Sequence, residues 1–222
     1  LADYAGKTLK AKRVAIIDDR TAYGQGIASV FKNTAKQKGL QIVAEDYTND
    51  KAVDFLAILT SIKAKRPDVI FFGGMDPQAG PMLRQMAQLG MYNTKFMGGD
   101  GLCTEKLAEQ AAKAPTLVNV YCGVGGAAVN KMPGGKAWKA RYDAKYPGEY
   151  QIYSPYVYDA TMVLADAMQR AGSADPKAYL PFIGKSNYQG ISAHIQFDAR
   201  GELLHPAISI STYKGNKKMP LN

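Results

Sequence analysis

Tyr23, Met75 with Asp76, and Asp100 stand in three short polar loops, each close behind a short apolar run. Together they offer an aromatic wall, a flexible apolar contact, and carboxylates that can accept from an ammonium group. Such a set binds a small zwitterion without transforming it. Asp100 lies between Gly99 and Gly101, so a ligand can approach the backbone closely there. The structural alternative is that Asp100 caps a helix beginning near Thr104, as loop aspartates do.

Other chemistries fit less well. Asp18, Asp19 and Asp76 resemble an acidic magnesium pocket of the phospho-receiver kind, or a magnesium-dependent enzyme. That pocket also needs a lysine ending the fifth strand, and Tyr121-Cys122 stand there instead. Gly24-Gln25-Gly26 supplies only half of a dinucleotide fingerprint. The glycine-rich stretch 123–135 lacks the Gly-Lys-Ser/Thr ending of a phosphate loop. His194 and His205 come late, beside strands, and no Gly-x-Ser-x-Gly elbow partners them. No Cys/His cluster suits zinc, and no cofactor site is indicated. Cys103 and Cys122 are compatible with a disulfide or with two buried thiols.

The loops require a scaffold that aims them at one edge. Val14–Ile17 is a β-branched apolar run that reads as a strand buried on both faces. Thr21–Gly26 turns, and Ile27, Val30, Phe31 and Ala35 then recur at helical spacing. The unit repeats: strand 41–47, helix 54–65, strand 68–72, helix 79–89, strand 95–98, helix 107–112, strand 116–121. Five β-α units with short connections predict a doubly wound parallel sheet of the α/β class. In such sheets ligands sit outside the carboxyl ends of the strands, where all three loops fall. After Gly123 the rhythm changes. A glycine-rich crossover leads to helices at 137–146, 153–172 and 175–183, a strand at 191–197, a last strand at 207–213 and a polar tail. The 153–172 helix is apolar at Val157, Met162, Val163, Leu164, Ala167 and Met168, a face that needs a cover.

Composition sets outer bounds. The sequence has 222 residues, 46% of them hydrophobic and 21% charged, with a formal net charge of +9. That is enough for one large domain or two small ones. No run approaches the ~18 apolar residues of a membrane span. The lysines are scattered toward presumed helix ends and solvent faces, and no nucleic-acid-binding signature accompanies them. Leu1 is not an initiator methionine and no basic-then-apolar leader follows it, so a processed or shortened product is expected.

Five stretches in order carry a resemblance: Asp-Asp-Arg-Thr-Ala-Tyr-Gly-Gln-Gly at 18–26, Tyr-Thr-Asn-Asp at 47–50, Phe-Phe-Gly-Gly-Met-Asp-Pro-Gln-Ala-Gly at 71–80, Phe-Met-Gly-Gly-Asp-Gly at 96–101 and Ser-Pro-Tyr-Val-Tyr-Asp-Ala at 154–160. Gly190-Ile191 and Phe197-Asp198 extend it. The sequence is similar to the leucine/isoleucine/valine-binding proteins, the periplasmic receptors of branched-chain amino acid ABC transporters. The resemblance implies a type I periplasmic-binding-protein fold whose ligand is trapped between two lobes, no catalysis, and a membrane permease as partner. It implies that the family's N-terminal third, from the first lobe, is absent here. Residues 1–122 with 205–222 would form the C-terminal ligand-binding lobe. Residues 123–204 would form the crossover and the remaining part of the N-terminal lobe, left for missing sequence or a second chain to cover. Asp100 would match the carboxylate that takes the α-amino group, Tyr23 a pocket aromatic, and Tyr156 an aromatic near the cleft. Met75 falls where some members have tyrosine. In an oxidising periplasm, adjacent strand ends would bring Cys103 and Cys122 into a disulfide.

Overall fold

The computed structural model describes residues 1–221. It divides into two compact units, Leu1–Val124 with Ser209–Asn222, and Gly125–Ile208.

The first unit opens with helix α1 (Ala2–Lys7) and then alternates: β1 (Arg13–Asp18), α2 (Ala22–Gln37), β2 (Gln41–Tyr47), α3 (Leu56–Ala64), β3 (Val69–Gly73), α4 (Asp76–Gln88), β4 (Lys95–Gly98), α5 (Lys106–Gln110) and β5 (Val120–Gly125). Strands β1 to β5 pair in parallel, in the order β2-β1-β3-β4-β5. This is the doubly wound sheet that the β-α rhythm predicts. The runs that lack alternation are the central strands. All five residues of β3 are buried, as are the middle four of β1. Both faces are therefore covered by helices. On one face Phe31 of α2 stacks on Phe71 of β3, with ring centroids 3.9 Å apart, inside a cluster with Val14, Ile16 and Met97.

A close contact fixes α2 against the sheet. The Asp19 carboxylate accepts from Thr21 N and Thr21 Oγ1, and Thr21 Oγ1 in turn caps the helix by accepting from Gly24 N. Gly24 and Gly73 then meet backbone to backbone. A methyl group on Gly24 would lie 2.4 Å from the Gly73 carbonyl oxygen, and one on Gly73 would lie 2.2 Å from that of Gly24. Neither position has room for a side chain.

Two further strands extend this sheet: β8 (Ile208–Lys214) beside β5, and β9 (Lys217–Pro220) antiparallel to β8. The polar tail expected after residue 213 is thus a hairpin. Gly215 and Asn216 both take positive φ, 56° and 62°, as a two-residue type I′ turn requires. The expected fifth strand at 116–121 is also corrected. Residues Pro115–Asn119 form a 3-10 turn, and the strand begins only at Val120. Proline fixes the first residue of that turn, Leu117 is buried as an anchor, and Thr116 Oγ1 donates to the Leu83 carbonyl. Helix α4 starts at Asp76, three residues earlier than its apolar spacing suggests, because Pro77 is well placed in a first helical turn. Cys103 and Cys122 are joined in a disulfide with Cα atoms 5.5 Å apart.

The second unit holds α6 (Gly135–Lys145), α7 (Ser154–Ala171), α8 (Pro176–Gly184) and a two-residue ladder of β6 (Tyr188–Gln189) with β7 (His194–Ile195). The strand expected across 191–197 shrinks to this ladder. Ile191 N and Ser192 N both donate to the buried Asp159 carboxylate on α7, so they are turned away from strand pairing. Helix α7 buries Val163 and Ala167, whereas Val157 is 61% exposed and Leu164 38%. Met168 is half-buried.

A thiol titration of unreduced, denatured protein is expected to find no free thiol. Replacing both cysteines by alanine should cost about 3 kcal/mol, the chain-entropy value for a loop of this size. Two titratable thiols would remove the cross-link. Gly24→Ala is expected to lower stability in denaturant unfolding by roughly 1–3 kcal/mol, the overpacking range. An unchanged midpoint would show that the helix and strand can separate without loss.

Candidate functional site

The carboxyl edge of the first unit's sheet gathers three of the loops. Tyr23 sits in the first turn of α2, where the Gly24–Gly73 contact holds it over the end of the sheet. Its hydroxyl donates to Asp100 Oδ1 at 2.8 Å and accepts from Gly101 N at 3.1 Å. Asp100 opens the 3-10 turn Asp100–Leu102 that follows β4. Its carboxylate is oriented by the Tyr23 phenol. The capping role falls to Thr104, whose Oγ1 accepts from Leu107 N.

Met75 reaches the same place. A methyl group on Gly101 would lie 2.7 Å from Met75 Sδ, 2.7 Å from the Gly74 carbonyl oxygen and 3.3 Å from the Tyr23 hydroxyl. Glycine at 101 is what lets these three groups converge. Tyr23 and Asp100 are half-buried, and Met75 is 42% exposed. The edge therefore presents an accessible, oriented carboxylate beside an aromatic ring and a thioether. It can accept from a cationic nitrogen and pack against an aliphatic chain.

Asp76 is placed differently. As the first residue of α4 it accepts from Thr104 Oγ1 at 2.6 Å, tying the loop after β3 to the loop after β4. Asp18 accepts from Arg20 N, and Asp19 from Thr21; Asp19 Oδ2 is buried without a hydrogen-bond partner. Among the described residues no three His, Cys, Asp or Glu side chains gather in a way that could hold a metal ion. His194 pairs with Asn187 in the second unit. Among the described residues no helix is long and apolar enough to cross a membrane.

Tyr156 belongs to the second unit. Its hydroxyl donates to the Ala127 carbonyl at 2.8 Å, and burial pushes its pKa up to about 12. It lines a cavity of about 580 Å³ walled within that unit by Val163, Leu164, Ile183, Ile195 and Phe197.

Sequence reasoning missed what stands behind Asp100. Tyr213, 2% exposed, places its hydroxyl 2.7 Å from both the Leu102 and the Thr104 carbonyl oxygens. Lys218 Nζ donates to the Cys103 carbonyl at 2.9 Å and pairs with Glu105 at 3.3 Å. The Lys-Gly-Asn-Lys turn at 214–217 was the one local signal for the hairpin that carries them.

The chain is similar to several known proteins. An amino acid binding protein of Pseudomonas aeruginosa is 34% identical over 203 residues, covering 90% of this chain and 53% of its own length. Leu/Ile/Val-binding protein homolog 2 of Brucella abortus is 30% identical over 214 residues, covering 96% and 56%. The chain thus spans just over half of each of these relatives. Among solved structures, the leucine binding protein LivK of Thermotoga maritima superposes over 100% of this chain and 63% of its own, with a TM-score of 0.89 and 27% identity. The sequence model described as periplasmic binding protein matches residues 1–217, and the chain belongs to that family.

Proposed function

We propose that this chain is the larger part of an extracytoplasmic solute-binding receptor of an ABC transporter, and that its ligand is an aliphatic, branched-chain amino acid. The observation that carries the reading is the Tyr23–Asp100 pair beside Gly101. A carboxylate held by a phenol, half-buried and flanked by glycine, suits the α-ammonium group of an amino acid. Met75 and the Tyr23 ring suit its aliphatic side chain. Asp76 acts one step back, by holding Thr104. Tyr156 is the aromatic of the second unit that the family resemblance assigns near the cleft. The relatives named for leucine, isoleucine and valine support the ligand class. No reaction is assigned, because the edge offers no nucleophile paired with a base. A membrane permease would read the loaded receptor, and a periplasmic location follows from the same reading.

The two units also receive roles. Residues 1–122 with 205–222 are proposed as the C-terminal lobe, and 123–204 as the crossover and part of the N-terminal lobe. The exposed Val157 and Leu164 and the apolar cavity support this. They suit a face that further sequence of the receptor covers, or failing that a second chain.

Calorimetry with leucine, isoleucine and valine in excess chelator tests the ligand. Binding is expected to persist without metal. Asp100→Asn in the full-length receptor should weaken it by roughly 2–5 kcal/mol, the range for breaking a desolvated charge pair. Parent-like affinity in that variant would overturn the site, and binding that requires a divalent cation would favour the acidic magnesium reading. For the lobes, Val157→Asp and Leu164→Asp in the full-length receptor should each cost about 1.5–3 kcal/mol of stability, the value of burying such a side chain. Changes within about 0.5 kcal/mol, as at ordinary surface positions, would mean that the face stays in water.

A further inference from the structure

The loop that carries Asp100 is pinned from behind by residues more than a hundred positions away. Tyr213 of β8 is fully buried. Its hydroxyl oxygen lies 2.7 Å from each of the Leu102 and Thr104 carbonyl oxygens, so its one proton is shared between two acceptors. Lys218 of β9 reaches the carbonyl between them, that of Cys103, at 2.9 Å. Three consecutive carbonyls, 102 to 104, are therefore each bound by a side chain of one hairpin. The disulfide anchors Cys103 to β5, and Thr104 Oγ1 holds Asp76. Asp100 lies two residues before the first of these carbonyls, and the backbone bond from Cys103 N to Asp100 O closes the turn between them.

A short turn without such support would sample several orientations of its carboxylate. Each would have to be abandoned when a ligand binds, and that ordering cost subtracts directly from affinity. A lone buried hydroxyl on an otherwise apolar residue is expensive unless it is bound, and here it is bound to this loop. Burial also holds the Tyr213 phenol well above its ordinary pKa, so it remains a donor throughout the working range.

We infer that Tyr213 and Lys218 are positioning residues of the binding site: the β8–β9 hairpin latches the 102–104 carbonyls and so holds Asp100 in the orientation that meets the ligand. Both act on Asp100 through the backbone of the loop. This role rests on Asp100 being the ammonium partner proposed above.

Tyr213→Phe removes the hydroxyl and keeps the ring; Lys218→Met removes the charge and keeps the stem. In the full-length receptor, amide hydrogen exchange at 101–105 should rise at least tenfold in Tyr213→Phe, while the amides of β1 and β3 keep parent rates. With leucine as probe, affinity should fall five- to twentyfold in Tyr213→Phe and several-fold in Lys218→Met. In an Asp100→Asn background the further effect of Tyr213→Phe on affinity should vanish, because a carboxylate that is no longer there needs no aiming. A merely structural role would instead add its loss in both backgrounds. Unchanged exchange at 101–105 overturns the latch. Raised exchange with parent-like leucine affinity in Tyr213→Phe, while Asp100→Asn weakens binding as expected, overturns the positioning role and leaves the ligand site standing. Parent-like affinity in Asp100→Asn overturns the ligand site itself, and the role assigned to Tyr213 and Lys218 with it.

Discussion

The first unit depends on one close approach, the backbone contact of Gly24 with Gly73. A helix normally stands off a sheet by the depth of two side chains. Here both side chains are deleted at the crossing, and the first turn of α2 drops onto the end of β3. The Asp19–Thr21–Gly24 hydrogen bonds fix the helix terminus at that depth. Tyr23 is consequently delivered to the level of the loop after β4 rather than above it. From that depth its hydroxyl bonds Asp100 at 2.8 Å. The chemistry of the edge is thus set by sterics two layers below it.

The edge is also rigid for reasons that do not involve the candidate ligand groups. Gly101 is crowded by Gly74, Met75 and Tyr23, Asp76 grips Thr104, and a disulfide and a hairpin hold the loop from the far side. Each hydrogen bond among these ties is modest alone, since a typical one contributes about 0.5–1.5 kcal/mol net. Their convergence on residues 101–104 matters more than their sum. A site that presents a carboxylate to a small ion gains specificity when that carboxylate has one orientation.

How much of this was legible depended on how local the cause was. The continuous runs Val14–Ile17 and Val69–Phe72 announced buried parallel strands, and the loops behind them announced the edge. The quoted stretches pointed to the family. Where the sequence misled, a side chain had taken over a role that periodicity assigns to backbone. Thr116 and Pro115 turned an apolar run into a 3-10 anchor, and Asp159 captured two amides that strand pairing would have used. Asp100 could be picked out between two glycines, yet its phenol partner lies 77 residues earlier in the chain. Tyr213 is 111 residues from Leu102 and was invisible for the same reason. Propensity reads neighbours in sequence, and these contacts are neighbours only in the fold.

The discontinuity of the first unit has a consequence for the order in which the molecule is made. Synthesis runs from the amino terminus, and domains tend to fold as units in that order. Strands β1 to β5 are all in hand by residue 125, so the disulfide partners can meet early. The hairpin that fastens the 102–104 carbonyls follows only after the whole of the second unit has been produced. Until then the sheet ends at β5, an open strand with unpaired amides and carbonyls, which is a template for the wrong partner. The nascent chain must therefore carry an exposed sheet edge for some 80 residues of elongation. The Thr104–Asp76 hydrogen bond joins two residues made well before the hairpin, so it can hold the loop through that interval, and the Cys103–Cys122 disulfide can add to it once the chain meets an oxidising compartment.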